Sequence, residues 1–216
     1  MEKINSILSG NQFIIKQHKE VLEILSGFET KNKYMIMDEN KVNLGLIAEQ
    51  GSGYIKILKR FFLRNHRPLD ITVFNNEGEE ALTLNRKFFW FFSDLFIDVD
   101  GKRIGSIHRR FAFFQKRYSI HDAQGLVLFT IKSPFWRLWT FPILNKLDMP
   151  AGVITKKWQG FLSEVFTDAD AFLIKLDSPN LSNEEKTLLF ASGISIDFDF
   201  FENNQGSSGL LDFLGN

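Results

Sequence analysis

The sequence contains no cysteine among its 216 residues. That excludes disulfide scaffolds, thiol nucleophiles, zinc–thiolate sites and S-acylation. Long hydrophobic runs are scarce as well. The opening stretch MEKINSILSGNQFIIKQHK has no apolar run long enough for the core of a secretory signal, so the chain is expected in the cytosol or on its membrane face. No Pro/Gly/Ser-rich linker or abrupt change of composition divides it, and its length allows one full core, so one domain is expected. Catalytic signatures are missing too: there is no G-x-S-x-G, P-loop or dinucleotide fingerprint, and no suggestive Ser/His/Asp order. His18, His66, His108 and His121 are scattered outside any ligand spacing, which favours surface or strand-face roles. Conventional enzyme chemistry is therefore unsupported.

What the chain does have is phenylalanine, 24 of 216 residues, enough for a large core with aromatic surface to spare. The formal net charge is zero, but the charges are unevenly placed. Lys56, Lys59, Arg60, Arg64, Arg67, Lys102, Arg103, Arg109, Arg110, Lys116 and Arg117 fall early. Asp168, Asp170, Asp177, Glu184, Glu185, Asp197, Asp199 and Glu202 fall late. The basic segments suit anionic surfaces.

Between residues 34 and 176, alternating or aromatic-rich runs are broken by turn residues at 38–40, 75–78, 98–101, 121–125 and 148–152. Asn, Asp and Gly supply the left-handed angles of tight turns, so these read as hairpins of an antiparallel meander closing into a barrel. After Pro179, Ser182 and Glu185 form a capping box. The following helix is apolar nearly all round, with Leu188, Leu189, Phe190, Ile194 and Ile196 as core residues. Its uncharged run, Thr187 to Ile196, is about half the roughly 20 residues a bilayer span needs, and acidic residues bracket it, so burial inside the protein is expected rather than a single membrane pass.

Lys156, Trp158, Gly160, Glu164, Phe166, Thr167, Asp168, Ala169 and Asp170, followed by Asp197, Phe198, Phe200, Phe201 and Glu202, make a K-x-W-x-G-x-x-x-E-x-F-T-D-A-D block and a D-F-x-F-F-E helix end. This segment resembles the phospholipid scramblase family. VLEILSGFETKNKY (21–34) and RPLDITVFNNEG (67–78) resemble its N-terminal block and next hairpin. The resemblance implies a tubby C-terminal-like fold: mainly β, a closed antiparallel barrel of about 12 strands around a buried C-terminal hydrophobic helix. Residues 1–12 read as an N-terminal extension, 13–202 as the domain and 203–216 as a flexible tail.

The resemblance also implies a calcium loop opening at Asp168 and Asp170, with Asp177 as a further ligand and Ca2+ as the cofactor. The pattern departs from an EF-hand-type loop: Phe172 holds the fifth position, Leu173 the sixth where glycine is needed, and Pro179 the twelfth. Satisfaction of these carboxylates by backbone amides at a turn or strand edge is the competing reading. Asp98 and Asp100 read as an ordinary hairpin turn, Asp197 and Asp199 as a helix end, and neither pair is assigned a metal.

Aromatic clusters fall where members of the family carry clustered cysteines. Phe88, Phe89, Trp90, Phe91 and Phe92, Trp136 and Trp139, and a basic amphipathic stretch with Lys56, Lys59, Arg60, Phe61, Phe62 and Arg64 together predict a shallow interfacial anchor on an anionic phospholipid surface. A buried strand at 88–92 is the other reading. His108, Arg109, Arg110, Lys116 and Arg117, interleaved with aromatics, suggest nucleic acid more weakly, because alternation would put charge on the solvent face and aromatics inward. The expected protein is thus a peripheral member of the family at the cytoplasmic face of a membrane. It binds phospholipid and, if it scrambles, moves it between leaflets with or without calcium stimulation. The alternative is a soluble lipid-binding or adaptor module that does not scramble.

Overall fold

A computed structural model describes residues 1–17, 30–50, 68–87, 89, 92–112, 115–134, 136–137, 139–156 and 171–201. A short helix α1 (Glu2–Ile7) leads into twelve strands: β1 (Gln12–Gln17), β2 (Thr30–Met37), β3 (Asn43–Gln50), β4 (Leu69–Asn75), β5 (Glu80–Arg86), β6 (Ser93–Val99), β7 (Lys102–Ala112), β8 (Gln115–Asp122), β9 (Val127–Pro134), β10 (Thr140–Asn145), β11 (Pro150–Thr155) and β12 (Ala171–Leu176). Helix α2 (Asn183–Ile196) follows and runs into a π-helical turn, Asp197–Phe201. Each strand pairs antiparallel with its sequence neighbours, and β1 closes on β12 with Gln12 opposite Lys175, so the meander is a closed barrel.

Four hairpins share one device. In each, an Asx side chain at the end of the first strand accepts hydrogen bonds from the backbone N–H groups two and four residues on: Asp38, Asn75, Asp122 and Asn145. The residue three places on takes a left-handed conformation: Lys41, Gly78, Gly125 and Asp148. The short polar side chain replaces a backbone acceptor and fixes the turn. The fifth hairpin turns on Asp100 and Gly101, both with positive φ, in the manner of a two-residue connection between twisted strands. The last hairpin lies about Asn145 rather than at 148–152, because Asn145 supplies the turn acceptor and residues 150–152 already pair in β11.

The lumen is filled by α2. Every residue from Thr187 to Ile196 is buried, including Leu188, Leu189, Phe190, Ile194 and Ile196, against inward residues such as Phe13, Ile97, Ile107, Ile120, Ile154 and Phe172. An interior of this size needs a filling element, and each large apolar side chain the helix buries contributes ~1.5–3 kcal/mol. Two glycines allow the close approach. A Cβ at Gly105 of β7 would meet Leu188 Cδ2 at 2.7 Å, and one at Gly193 of α2 would meet Ile174 Cγ1 at 2.6 Å. The helix starts with both capping-box bonds, Glu185 N–H to Ser182 Oγ and Ser182 N–H to the Glu185 carboxylate.

The first twelve residues contribute to the same core. Ile4 and Ile7 of α1 are completely buried and pack at the β3–β5 sector.

Candidate functional site

A meander has two ends. The five short hairpins and the start of α2 lie at one; the connections 18–29, 51–68, 87–92, 113–114, 135–139 and 156–170 join strands at the other. The strands flanking the aromatic and basic segments of the sequence therefore all terminate at this second end, and so does α2.

Just inside it lies a buried charge cluster. Asp199, in the turn after α2, accepts a hydrogen bond from Arg86 Nη1 of β5 at 2.6 Å and one from the Tyr118 hydroxyl of β8 at 2.8 Å; Arg109 Nη1 of β7 stands 3.5 Å away. Asp197, one half-turn back, pairs with Lys156 Nζ at 3.6 Å beyond β11. Phe89 is buried with Arg86 and Arg109 over its ring, 5.0 and 6.0 Å from the centroid, and Lys116 Nζ lies 5.0 Å from the Phe141 ring centre. Burial and the neighbouring Asp199 charge push the Tyr118 hydroxyl well above its ordinary value, so it stays a proton donor. Burial, then the charge of Arg109, holds Lys116 below the ordinary lysine range.

The sequence pattern points to carboxylates at a helix end; their strand partners are a structural finding. The expectation that charge on β7 and β8 faces solvent while aromatics turn inward is corrected. Arg109 and Lys116 are on the inward phase with Ile107, Tyr118 and Ile120: Arg109 turns toward the buried carboxylate of Asp199, which needs cationic partners, and Lys116 lies over the Phe141 ring. A D-x-D pair closing a fully apolar helix is the signal that could have found them: buried carboxylates must be met by cations from the strands around them.

The outward phase carries a second arrangement. Ser106-Ile107-His108 on β7 and Ser119-Ile120-His121 on β8 are the same tripeptide in antiparallel register, Ser106 opposite His121 and His108 opposite Ser119. Each imidazole meets the serine of its own strand, His108 at 2.8 Å and His121 at 2.9 Å, and the two rings stand 4.3 Å apart. Asp94 of β6 lies 2.7 Å from His108 Nδ1 and accepts from Arg110 Nη1 at 2.8 Å. Burial lowers the His108 pKa, partly offset by Asp94, with His121 and Arg110 adding to the lowering. Burial alone would raise Asp94, but the hydrogen bonds from Arg110 and His108 outweigh it and hold the carboxyl below its usual value.

Of the aromatic residues singled out in the sequence, Trp136 is 78% exposed and Phe92 58%, with Arg110 over the Phe92 ring at 5.5 Å. Trp139 is half-buried against the core, and Phe89 is turned inward by the two guanidinium groups that cover it. Phe88, Trp90, Phe91, Lys56, Lys59, Arg60, Phe61, Phe62 and Arg64 lie outside the described residues, as do Asp168 and Asp170.

A continuous calcium loop over 168–179 does not fit. Residues 171–176 are β12, paired with both β1 and β11, and six extended residues span about 20 Å. Asp177 thus sits at the hairpin end of the barrel, 3.0 Å from Lys175 Nζ. Phe172 and Leu173, in the fifth and sixth positions, are buried in the strand. Among the described residues no group of three or more His, Asp or Glu side chains is arranged to hold a metal.

The Scramblase family model matches residues 1–203, which is the barrel together with its helix. The chain belongs to the scramblase family. A phospholipid scramblase family protein of Schizosaccharomyces pombe is 26% identical, with 94% of this chain aligned to 63% of that protein. Altered inheritance rate of mitochondria protein 25 of Saccharomyces cerevisiae is 25% identical, over 97% of this chain and 76% of that protein. Phospholipid scramblase 1 of Homo sapiens is 28% identical, over 89% and 63%. This scramblase-family chain therefore spans about three-fifths to three-quarters of the length of these relatives.

Proposed function

We propose that the barrel docks on a phospholipid membrane, anionic lipids favoured, through the end that carries the long connections, as a peripheral protein, and that it moves phospholipid between leaflets. The observation that carries the docking is the exposure of Trp136 and Phe92 at that end, beside Arg110 and Arg137. Bulky aromatics partition at the headgroup boundary while the cations beside them meet lipid phosphates. The translocation part rests on family membership.

The fold limits the route. Moving a lipid needs a polar path for its headgroup and no covalent step. The lumen is not that path, because α2 fills it with buried side chains. Nor does the wall resemble a lipid-spanning barrel: apart from the charge cluster at one end its interior is apolar, and its outer face carries Asp94, Asp98, Arg110, Arg117 and Lys132. Headgroups would have to travel along the outside of the barrel, through a bilayer it perturbs. A second reading, lipid binding without translocation, is favoured by one finding: no helix among the described residues is long and apolar enough to cross a membrane.

The test is a fluorescent-lipid assay in proteoliposomes with an impermeant quencher, with and without calcium, with protein quantified on the same vesicles. Quenching beyond the outer-leaflet fraction supports translocation. Quenching limited to that fraction, with protein bound, leaves the second reading. Protein that binds no vesicles refutes both.

A further inference from the structure

On the outward face of β7, β8 and β9, Arg110 lies directly opposite Arg117, and Arg117 directly opposite Lys132. Like charges placed opposite each other across strands destabilise a sheet. Two of the three are partly neutralised: Arg110 by Asp94 at 2.8 Å, a carboxylate it shares with His108, and Lys132 by Asp148 at 3.0 Å. Arg117, the central one, is exposed and has no carboxylate partner among the described residues. The row is bordered by Phe92 under Arg110 at one side, and β9 leads from Lys132 to exposed Trp136 and Arg137.

We infer that this outer wall, centred on Arg117, is the surface that takes the phosphates of anionic phospholipid headgroups, so that the barrel meets the bilayer on its β6–β9 corner instead of squarely on its end. This rests on the membrane-docking reading above and adds to it an orientation and the row of residues that meets the lipid phosphates. A row of three cations at strand spacing offers phosphates successive contacts across about 10 Å, two strand separations. The large apolar side chains at its edge favour a membrane interface over a polynucleotide, since a phosphate lattice alone would not call for Phe92 and Trp136 to be exposed there.

The experiment uses the full chain and co-sedimentation with vesicles of phosphatidylcholine alone or of equimolar phosphatidylcholine and phosphatidylserine. Arg117→Glu is compared with Lys146→Glu, the same charge change at an exposed position of the hairpin end. Each basic residue near an anionic surface contributes about fivefold in affinity, so Arg117→Gln is expected to weaken binding to the mixed vesicles about fivefold and Arg117→Glu about thirtyfold. Lys146→Glu should bind like the parent, and circular dichroism should show all variants folded. If the parent binds the mixed vesicles and the Arg117 and Lys146 variants behave alike, the inference is overturned while docking stands. If the parent binds neither vesicle, both fail. Binding of a labelled DNA duplex in preference to the mixed vesicles also overturns it.

Discussion

Arg86 and Asp199 form an ion pair at 2.6 Å in which each side chain is 1% exposed, and it ties strand β5 to the turn that ends the lumen helix. Tyr118 donates to the same carboxylate and Arg109 approaches it, so three strands are fastened to one helix end by a single acidic residue.

Removing one member leaves the others charged in a dry setting. Asp199→Ala is expected to cost about 3–5 kcal/mol and to lower the melting temperature on the order of 10 °C. Arg86→Met should cost a similar amount. The double variant should cost clearly less than the sum, because neither charge is then left alone. Chemical denaturation of the four proteins checks this; additive losses would mean that the pair is not coupled.

Gly193→Ala sets helix propensity against packing. In an exposed helix alanine would gain about 1 kcal/mol over glycine. Here the new Cβ meets Ile174, with Cγ1 at 2.6 Å, and β12 cannot yield while paired on both sides. The expected result is net destabilisation of about 1–3 kcal/mol. Adding Ile174→Val, which removes the Cδ1 methyl in the way, should recover part of the loss. A Gly193→Ala variant more stable than the parent would contradict the close approach of helix and wall.

Acid should weaken the β6–β8 surface network in two stages. His108 has a folded pKa below its unfolded value of about 6.5, so the unfolded chain binds more protons in that window and stability falls as pH drops below about 6.5. Asp94 is also lowered, so its contribution is present above its unfolded value of about 3.9 and is lost as pH falls through the folded one. His108→Gln should remove the first stage and keep the second. Urea midpoints measured across pH for both proteins give the comparison, and a parent whose stability rises between neutral pH and pH 5 would refute the direction.

The strands and the helix were legible because their signals are local. The Asx and Gly residues that turn the hairpins sit in the sequence at the turns themselves, and Ser182 with Glu185 marks the helix start. The direction of Arg109 and Lys116 was not legible. Alternation gives two faces, but Arg109 takes its face from Asp199, about ninety residues further along the chain and brought alongside only by closure, and Lys116 meets Phe141 of β10 inside the barrel. The pairing of the two Ser-Ile-His segments likewise depends on register between strands, which periodicity alone does not give. Phe89 and Phe92, both within the aromatic cluster predicted as an anchor, part company for the same reason: Phe89 has guanidinium groups waiting inside, and Phe92 has Arg110 outside.

The pairing of β1 with β12 also sets a schedule for synthesis. The first strand cannot find its final neighbour until the twelfth has been made, and the helix that fills the lumen is made later still. A growing chain therefore carries an unfinished sheet with two free edges and an empty centre for almost its whole translation. Such long-range closure slows folding and leaves apolar strand faces open to wrong partners meanwhile. Truncation within α2 should accordingly yield aggregating chains rather than a smaller barrel, since the last-made segment is the one around which all the others settle.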